Sequence, residues 1–314
     1  MTSSCREQLN KFLADRFILG TAQIGMDYGI ANKSGKPDYE AARLLIATAL
    51  ELGIDSFDTA TAYGDSEAVL GRALKSLKAA GSSARTMSKL SAGEMASTEA
   101  CLQTVQQSLQ RLQCERLELL FAHSFASLSE AGTEDALAEV KRQGLARATG
   151  VSVYTAQEAL TALEQPEVDV VQMPLNALDQ QAVTASVIKA ARLKRKRLIF
   201  RSIFLQGLLV MPLEQLPPHM SFAFEFLQDW HNLCQRLAVP PRVLALQCAL
   251  SLSGGMQLLI GCDSAAQLRE NVDALDYRSS HVDEALASTA QLAARVPEQL
   301  RNPSLWPKPE KVSS

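Results

Sequence analysis

Residues 57–64 read FDTATAYG, an apolar residue running into Asp58 with Tyr63 five positions on. Two later stretches repeat the pattern. TMSKL (86–90) delivers Lys89, and LLFAHSF (119–125) delivers His123. Each reads as a short strand buried on both faces that ends in a polar residue. If these are successive strands of one parallel barrel, Asp58, Tyr63, Lys89 and His123 meet at its C-terminal mouth, where barrel enzymes keep their catalytic groups.

Outward from that stretch the chain alternates strand and helix. Strands are expected at Phe17–Gly20, Ser56–Asp58, Arg85–Lys89, Leu117–His123, Ala146–Val151, Val168–Met173, Leu198–Ser202 and Gln257–Ile260. Helical periodicity lies between them: Tyr39–Leu52, Glu67–Leu77, Thr98–Leu112, Glu134–Gln143, Ala156–Leu163, Gln181–Leu193, Phe222–Leu237 and Ala265–Leu275, the last capped by Ser264. Eight such units predict an α/β fold, a (β/α)8 TIM barrel. An open doubly wound sheet would begin with G-x-G-x-x-G, and the glycines at 20, 25 and 29 in GTAQIGMDYG do not fit that spacing. A P-loop fails too, because five residues separate Gly29 from Gly35 and Pro37 stands where Ser or Thr is needed. A single domain over 1–314 is expected, with its core at about 15–275 and an outer helix (Val282–Arg295) and tail beyond. Phe222–Leu250 should hold two extra helices split at Pro240-Pro241. The end, NPSLWPKPEKVSS, reads as loosely ordered, with Trp306 as its anchor.

Composition sets limits on function. The 314 residues are 47% hydrophobic and carry a net charge of −3, so no overall field favours nucleic acid or anionic membrane. Lys194–Arg197 is the strongest basic run, and it reads as a set of cations at a helix C-terminus. Six cysteines show no C-x-x-C pair and share no short segment with a histidine, which argues against a metal site and fits reduced thiols in a cytoplasm. MTSSCREQLNKFLADR has no apolar signal-peptide core. Val243–Cys262 is uncharged, but Ser251, Ser253, Gly254 and Gly255 interrupt it, so it reads as helix, turn and strand.

The four polar residues have a chemistry in common. A free phenol titrates near pH 10 and needs tuning before it can exchange protons near neutrality. An ammonium beside it would stabilise the phenolate, and a buried ammonium needs a carboxylate partner. Asp58 would hold Lys89, Lys89 would tune Tyr63, and His123 would orient a substrate oxygen. Protonating a carbonyl oxygen in this way requires hydride at its carbon. No side chain supplies hydride, so a nicotinamide cofactor is implied. Each residue also has a plainer role: Asp58 as a turn cap, Tyr63 as packing, Lys89 as a solvated strand end, His123 as a core histidine. His123 is nonetheless the one of four histidines at a strand end, with His219, His231 and His281 in loop or helix.

At these residues the chain resembles the aldo-keto reductase family over about 15–275. The resemblance rests on D-T-A-x-x-Y-G followed by Glu67, Gly71 and Leu74, on the downstream lysine, and on S-L-x-x-L-x-x-x-x-L-x-L-L-x-x-H from Ser108 to His123. It implies a barrel binding an extended nicotinamide nucleotide, with Tyr63 as general acid, Lys89 as its modulator, Asp58 as the lysine's partner and His123 orienting substrate. It further implies that Gly20, Thr21, Ala22 and Asp58 border the nucleotide, and that Ser152 and Gln172 bond its carboxamide. Val153 stands where the family has asparagine. Arg201-Ser202 occupies a segment that often stacks an aromatic on nicotinamide, and Arg201 there could stack, or pair with an anionic substrate or the pyrophosphate. Phe204 and Gly207 continue the loop over the pyrophosphate. IGCDSAAQLREN (260–271) resembles the adenosine-phosphate clamp, through Gly261, Asp263, Ser264, Gln267, Glu270 and Asn271. The clamp's usual cation is missing, Asp263 stands nearby, and Arg269 is a possible substitute. NADP(H) is expected, with NAD(H) the alternative.

The loop GMDYGIANKSGKP (25–37) should overhang the mouth, where Asp27, Tyr28 and Asn32 could read a polyol or could simply build a turn. Three functions stay open: a cytoplasmic reductase of an aldehyde or ketone, an NAD-dependent sugar or alcohol dehydrogenase, and a nucleotide-sensing barrel subunit without turnover. The expected partner is a small carbonyl or sugar-like molecule, and oligomeric state is not legible.

Overall fold

The structure, a computed structural model, describes residues 3–77, 84–277 and 282–308. His281 and residues 309–314 of the tail lie outside them. Eight strands close a parallel barrel in chain order. They are β1 (Phe17–Gly20), β2 (Ser56–Asp58), β3 (Arg85–Leu90), β4 (Leu117–Ala122), β5 (Ala146–Ser152), β6 (Val170–Pro174), β7 (Arg197–Arg201) and β8 (Gln257–Gly261). Closure comes from β1 against β8, with Phe17 level with Leu258 and Gly20 with Gly261.

The period of two along each strand sorts the side chains. Ile18, Met87, Leu119, Phe121, Val170 and Ile199 point inward and form a compact apolar plug in the barrel lumen. Their neighbours Leu19, Leu120, Val171 and Phe200 point outward into the larger core beneath the helices. Continued one step past the plug, the same alternation turns Gly20, Asp58, Lys89, His123, Ser152, Gln172, Arg201 and Gly261 inward at the C-terminal mouth.

Several helices start on local signals. Asp38, Ser97, Thr155 and Ser264 each accept a backbone N–H as N-caps, and Thr155 completes a capping box with Glu158. Val243–Cys262 is a helix (Pro241–Leu252), a turn at Gly254-Gly255 and β8. Lys194 and Lys196 are tied to Glu164 and to the Gln165 carbonyl.

Several expectations are corrected. The helix expected over Gln181–Leu193 is two, Gln181–Thr184 and Val187–Leu193, because Ser186 adopts a φ of 58°. Phe222–Leu237 is helical only over Phe224–Arg236, after a 3₁₀ segment at Pro218–Ala223. Ala265–Leu275 ends at Asp273 and tightens into a 3₁₀ turn. β6 begins at Val170 instead of Val168, and β7 stops at Arg201 because Ser202 turns to a φ of 61°. His123 lies just past β4, although its N–H still reaches the Leu90 carbonyl at 2.8 Å. A helix at Ser3–Arg16 was not expected from the sequence. It closes the far end of the barrel: Leu13 is fully buried, Arg16 bonds Ser253 Oγ at 2.9 Å and Arg85 bonds the Ala14 carbonyl at 3.0 Å.

The added C-terminal helices pack on one another and on the loop after β7. Trp230 is fully buried and donates its indole N–H to the Leu209 carbonyl at 2.8 Å. Arg295 bridges Asp229 at 2.6 Å, and Gln180 bonds Thr289 in the helix Val282–Ala293. Trp306 donates to the Leu300 carbonyl at 3.1 Å and packs against the core. No helix among the described residues is long and apolar enough to cross a membrane.

Candidate active site

Asp58, at the end of the three-residue β2, is 3% exposed, and Lys89 is 1% exposed. Lys89 Nζ donates to Asp58 Oδ1 and, at 3.0 Å, to the Thr59 carbonyl. Gln172 Nε2 takes the second carboxylate oxygen at 2.9 Å. Burial opposes the ammonium charge of Lys89, and the Asp58 charge and hydrogen bond oppose that loss. Such a pair is costly to break, because either partner alone is a buried unpaired charge.

The Tyr63 and His123 rings meet edge to face, with centroids 5.6 Å apart. The Lys89 ammonium lies 5.1 Å from the Tyr63 ring centroid and donates to Asp58 and Thr59. Burial, and then the Asp58 charge, hold Tyr63 above its ordinary value, and the cation that works against them is Arg201. Burial, helped by the Lys89 charge, pushes the His123 imidazole from 6.5 down to about 4. The constellation therefore presents a protonated phenol and a neutral imidazole at neutral pH.

A cleft enclosing about 1080 Å³, its open mouth included, runs from this group along the barrel rim. Its wall includes Gly20, Thr21, Ala22, Asp58, Tyr63, Gln172, Arg201, Ser202, Phe204, Gly207, Gly261, Asp263, Gln267 and Asn271, all anticipated from sequence. The wall is polar at both ends. Five anticipated residues are not on it, among them Lys89, buried against Asp58, and His123, packed on the Tyr63 ring. Ser152 is buried in register with Gln172, Ser264 spends its hydroxyl on capping the helix Ala265–Asp273, and Glu270 turns to Arg242 at 3.1 Å. Thr21 donates to the Asp58 carbonyl at 2.8 Å, which ties the β1 turn to the end of β2.

Arg269 does not substitute for the missing cation. It points away and pairs with Glu51 at 3.0 Å. Arg242, from the helix after Pro240-Pro241, reaches the cleft and bonds Asn271 Oδ1 at 2.6 Å. No local motif marks Arg242 in the sequence. It enters through the packing of the helix Pro241–Leu252 against the next helix, Ala265–Asp273, on the far side of β8. In the 25–37 loop, Asp27 accepts from the Lys36 N–H and builds the turn, Asn32 donates to the Tyr28 and Gly35 carbonyls and also lines the cleft, and Tyr28 lines it too. Glu67 and Gly71 are packing residues. Glu67 accepts from Ser88 and Arg111, and a Cβ on Gly71 would meet the Arg111 carbonyl at 2.2 Å. Among the described residues no cluster of His, Cys, Asp or Glu could hold a metal ion.

Comparison with known proteins gives one consistent result. A family model described as aldo/keto reductase family matches residues 16–287. A protein named NADH-specific methylglyoxal reductase from Escherichia coli (strain K12) is 27% identical, covering 86% of this chain and 93% of its own. An L-galactose dehydrogenase from Arabidopsis thaliana is 27% identical over 82% of this chain and 86% of its own. Among solved structures, the holo form of an aldo-keto reductase from Bacillus halodurans superposes with a TM-score of 0.71 at 23% identity, covering 91% of this chain and 95% of that one.

Proposed function

The chain belongs to the aldo/keto reductase family of NAD(P)H-dependent oxidoreductases, and on that premise we propose that it reduces an aldehyde or ketone to an alcohol, with Tyr63 as general acid. The observation that carries this is the buried Asp58–Lys89 pair beside the Tyr63–His123 ring contact, with Asp58 and Tyr63 on the wall of the cleft. The nicotinamide supplies hydride when bound. The side chains handle the proton: Tyr63, kept protonated by burial, donates to the carbonyl oxygen, while neutral His123 donates a hydrogen bond that orients that oxygen. Asp58 anchors Lys89 beside the phenol, and Gln172, held by Asp58, would meet the carboxamide. We take residues 1–314 to act as one barrel unit.

NADP(H) is the proposed cofactor. Arg242 is a cation at the rim end that holds Gly261, Asp263 and Asn271, where a ribose phosphate would need one, and its partner Glu270 is 58% exposed, so water screens that pair. A second version, an NAD(H)-dependent alcohol dehydrogenase, is favoured by Asp263, which can accept from a free ribose hydroxyl, and by the NADH-specific name of one relative. A panel of carbonyl substrates run with NADPH and with NADH, beside Tyr63→Phe, tests both. We expect lower KM with NADPH and a loss of at least about a hundredfold in kcat for the variant. Equal turnover by the variant removes Tyr63 from the chemistry, and tighter NADH removes the NADP(H) assignment.

A further inference from the structure

Arg201 is the inward residue at the end of β7 and lines the cleft with Tyr28 and Tyr63. Its guanidinium is locked. The plane lies 4.3 Å from the Tyr154 ring centroid, Nη2 donates to the Val153 carbonyl at 3.0 Å and Nη1 to Ser202 Oγ at 3.2 Å. Nε is buried with no acceptor. The other two cations at this cleft have carboxylates, Asp58 for Lys89 and Glu270 for Arg242. Among the described residues Arg201 has neutral acceptors only. A buried donor on a permanent cation that has no carboxylate in hydrogen-bond contact, only the field of the buried Asp179, is expensive unless a ligand completes it. Stacking by a neutral ring would cover the guanidinium face and leave the Nε–H in its plane unmet. An anion meets both the charge and the donor.

Resting on the reductase reading, we infer that Arg201 anchors an anionic group of the substrate, so that the enzyme prefers carbonyl compounds bearing a carboxylate or phosphate over their neutral counterparts. Tyr63 and Arg201 both line the cleft, so a single small molecule can present its carbonyl to the phenol and its anionic end to the guanidinium. A pre-oriented, weakly hydrated guanidinium suits this task better than lysine.

Matched pairs test the inference: succinic semialdehyde against butanal for carboxylate, and glyceraldehyde 3-phosphate against glyceraldehyde for phosphate. We expect kcat/KM to favour the anionic member of at least one pair by about ten- to a hundredfold. In Arg201→Gln that ratio should collapse toward one through KM, and Arg201→Lys should restore part of it. A wild-type ratio near one in both pairs overturns the inference. So does a ratio that survives in Arg201→Gln while nucleotide affinity falls, which would give Arg201 to the pyrophosphate. A readout without turnover separates this from failure of the reductase reading. The NADPH-loaded protein, titrated by fluorescence with butyrate and with butyramide, should bind the anion more tightly, and Arg201→Gln should abolish the difference. Equal binding of the two by the wild type also overturns it.

Discussion

Two side chains set the expected pH behaviour. Tyr63 is held protonated well above neutrality, so reduction, which consumes its proton, should run flat from about pH 6 to 9. Oxidation needs the phenolate and should climb about tenfold per unit over the same range. His123 adds an acid limb near its value of about 4, where protonation would alter the oxygen-orienting contact. It also links to stability. Its folded value lies below the unfolded value of about 6.5, so between 6.5 and 4 the unfolded chain binds more protons. Stability from this residue is complete above 6.5 and is lost as pH falls through the window, by about 1.4 kcal/mol per unit at most. Rate profiles in both directions, with denaturant unfolding at pH 7 and pH 5, check this. A reduction profile with a single step near pH 7, or His123→Gln unfolding with the wild type's full acid sensitivity, would contradict it. His123 was legible because it ends an apolar run, and Tyr63 because it follows Asp58 in D-T-A-x-x-Y-G. Arg242 was not, because nothing near it in the chain marks it as facing the cleft. The direction of the Tyr63 shift was also hidden, since burial, which outweighs the nearby cations, has no local signature.

At the scale of elements, the loops after β1 and β7 meet over the cleft. Lys33 bonds Gln215 at 2.7 Å, and Gly207 packs on Ala31. The β7 loop is unusual in backbone, with left-handed φ at Ser202, Leu205, Gln206 and Gly207, and Asn176 pins it by donating to the Ser202 carbonyl at 3.0 Å. Gly207→Ala would put a Cβ 2.4 Å from the Ala31 Cβ at a φ of 94°, so the loops must part. We expect NADPH Kd to rise several-fold, through faster release, while the barrel loses about 1–3 kcal/mol. Stopped-flow release of bound NADPH reads the first effect, and an unchanged rate in the folded variant would show that the contact does not retain nucleotide. Strands and capped helices were visible beforehand because alternation and capping are local signals. The break at Ser186 and the end of β7 at Ser202 were not, since a serine in the left-handed region is imposed by the surrounding packing. Two residues of the recognisable signature, Glu67 and Gly71, turned out to serve packing.

The whole molecule separates its two ends. Polar chemistry gathers at the C-terminal mouth above the lumen plug, and closure is completed at the opposite end by the helix Ser3–Arg16. That helix carries no site residue, yet it links the starts of distant strands: Arg16 reaches Ser253 and Met256 before β8, and Arg85, at the start of β3, reaches Ala14. Leu13 is fully buried in the main core. Leu13→Ala leaves a cavity at the base, with an expected cost of about 2–5 kcal/mol. The apolar plug and a full barrel of hydrogen bonds lie between that cavity and the cleft, so the site should not feel it. Urea unfolding should show a lower midpoint with an unchanged slope, while NADPH Kd and carbonyl kcat/KM stay within about twofold of wild type under conditions where the variant is folded. If nucleotide affinity fell with stability, the lower end of the barrel would be coupled to the mouth, and the division between a structural base and a chemical rim would fail.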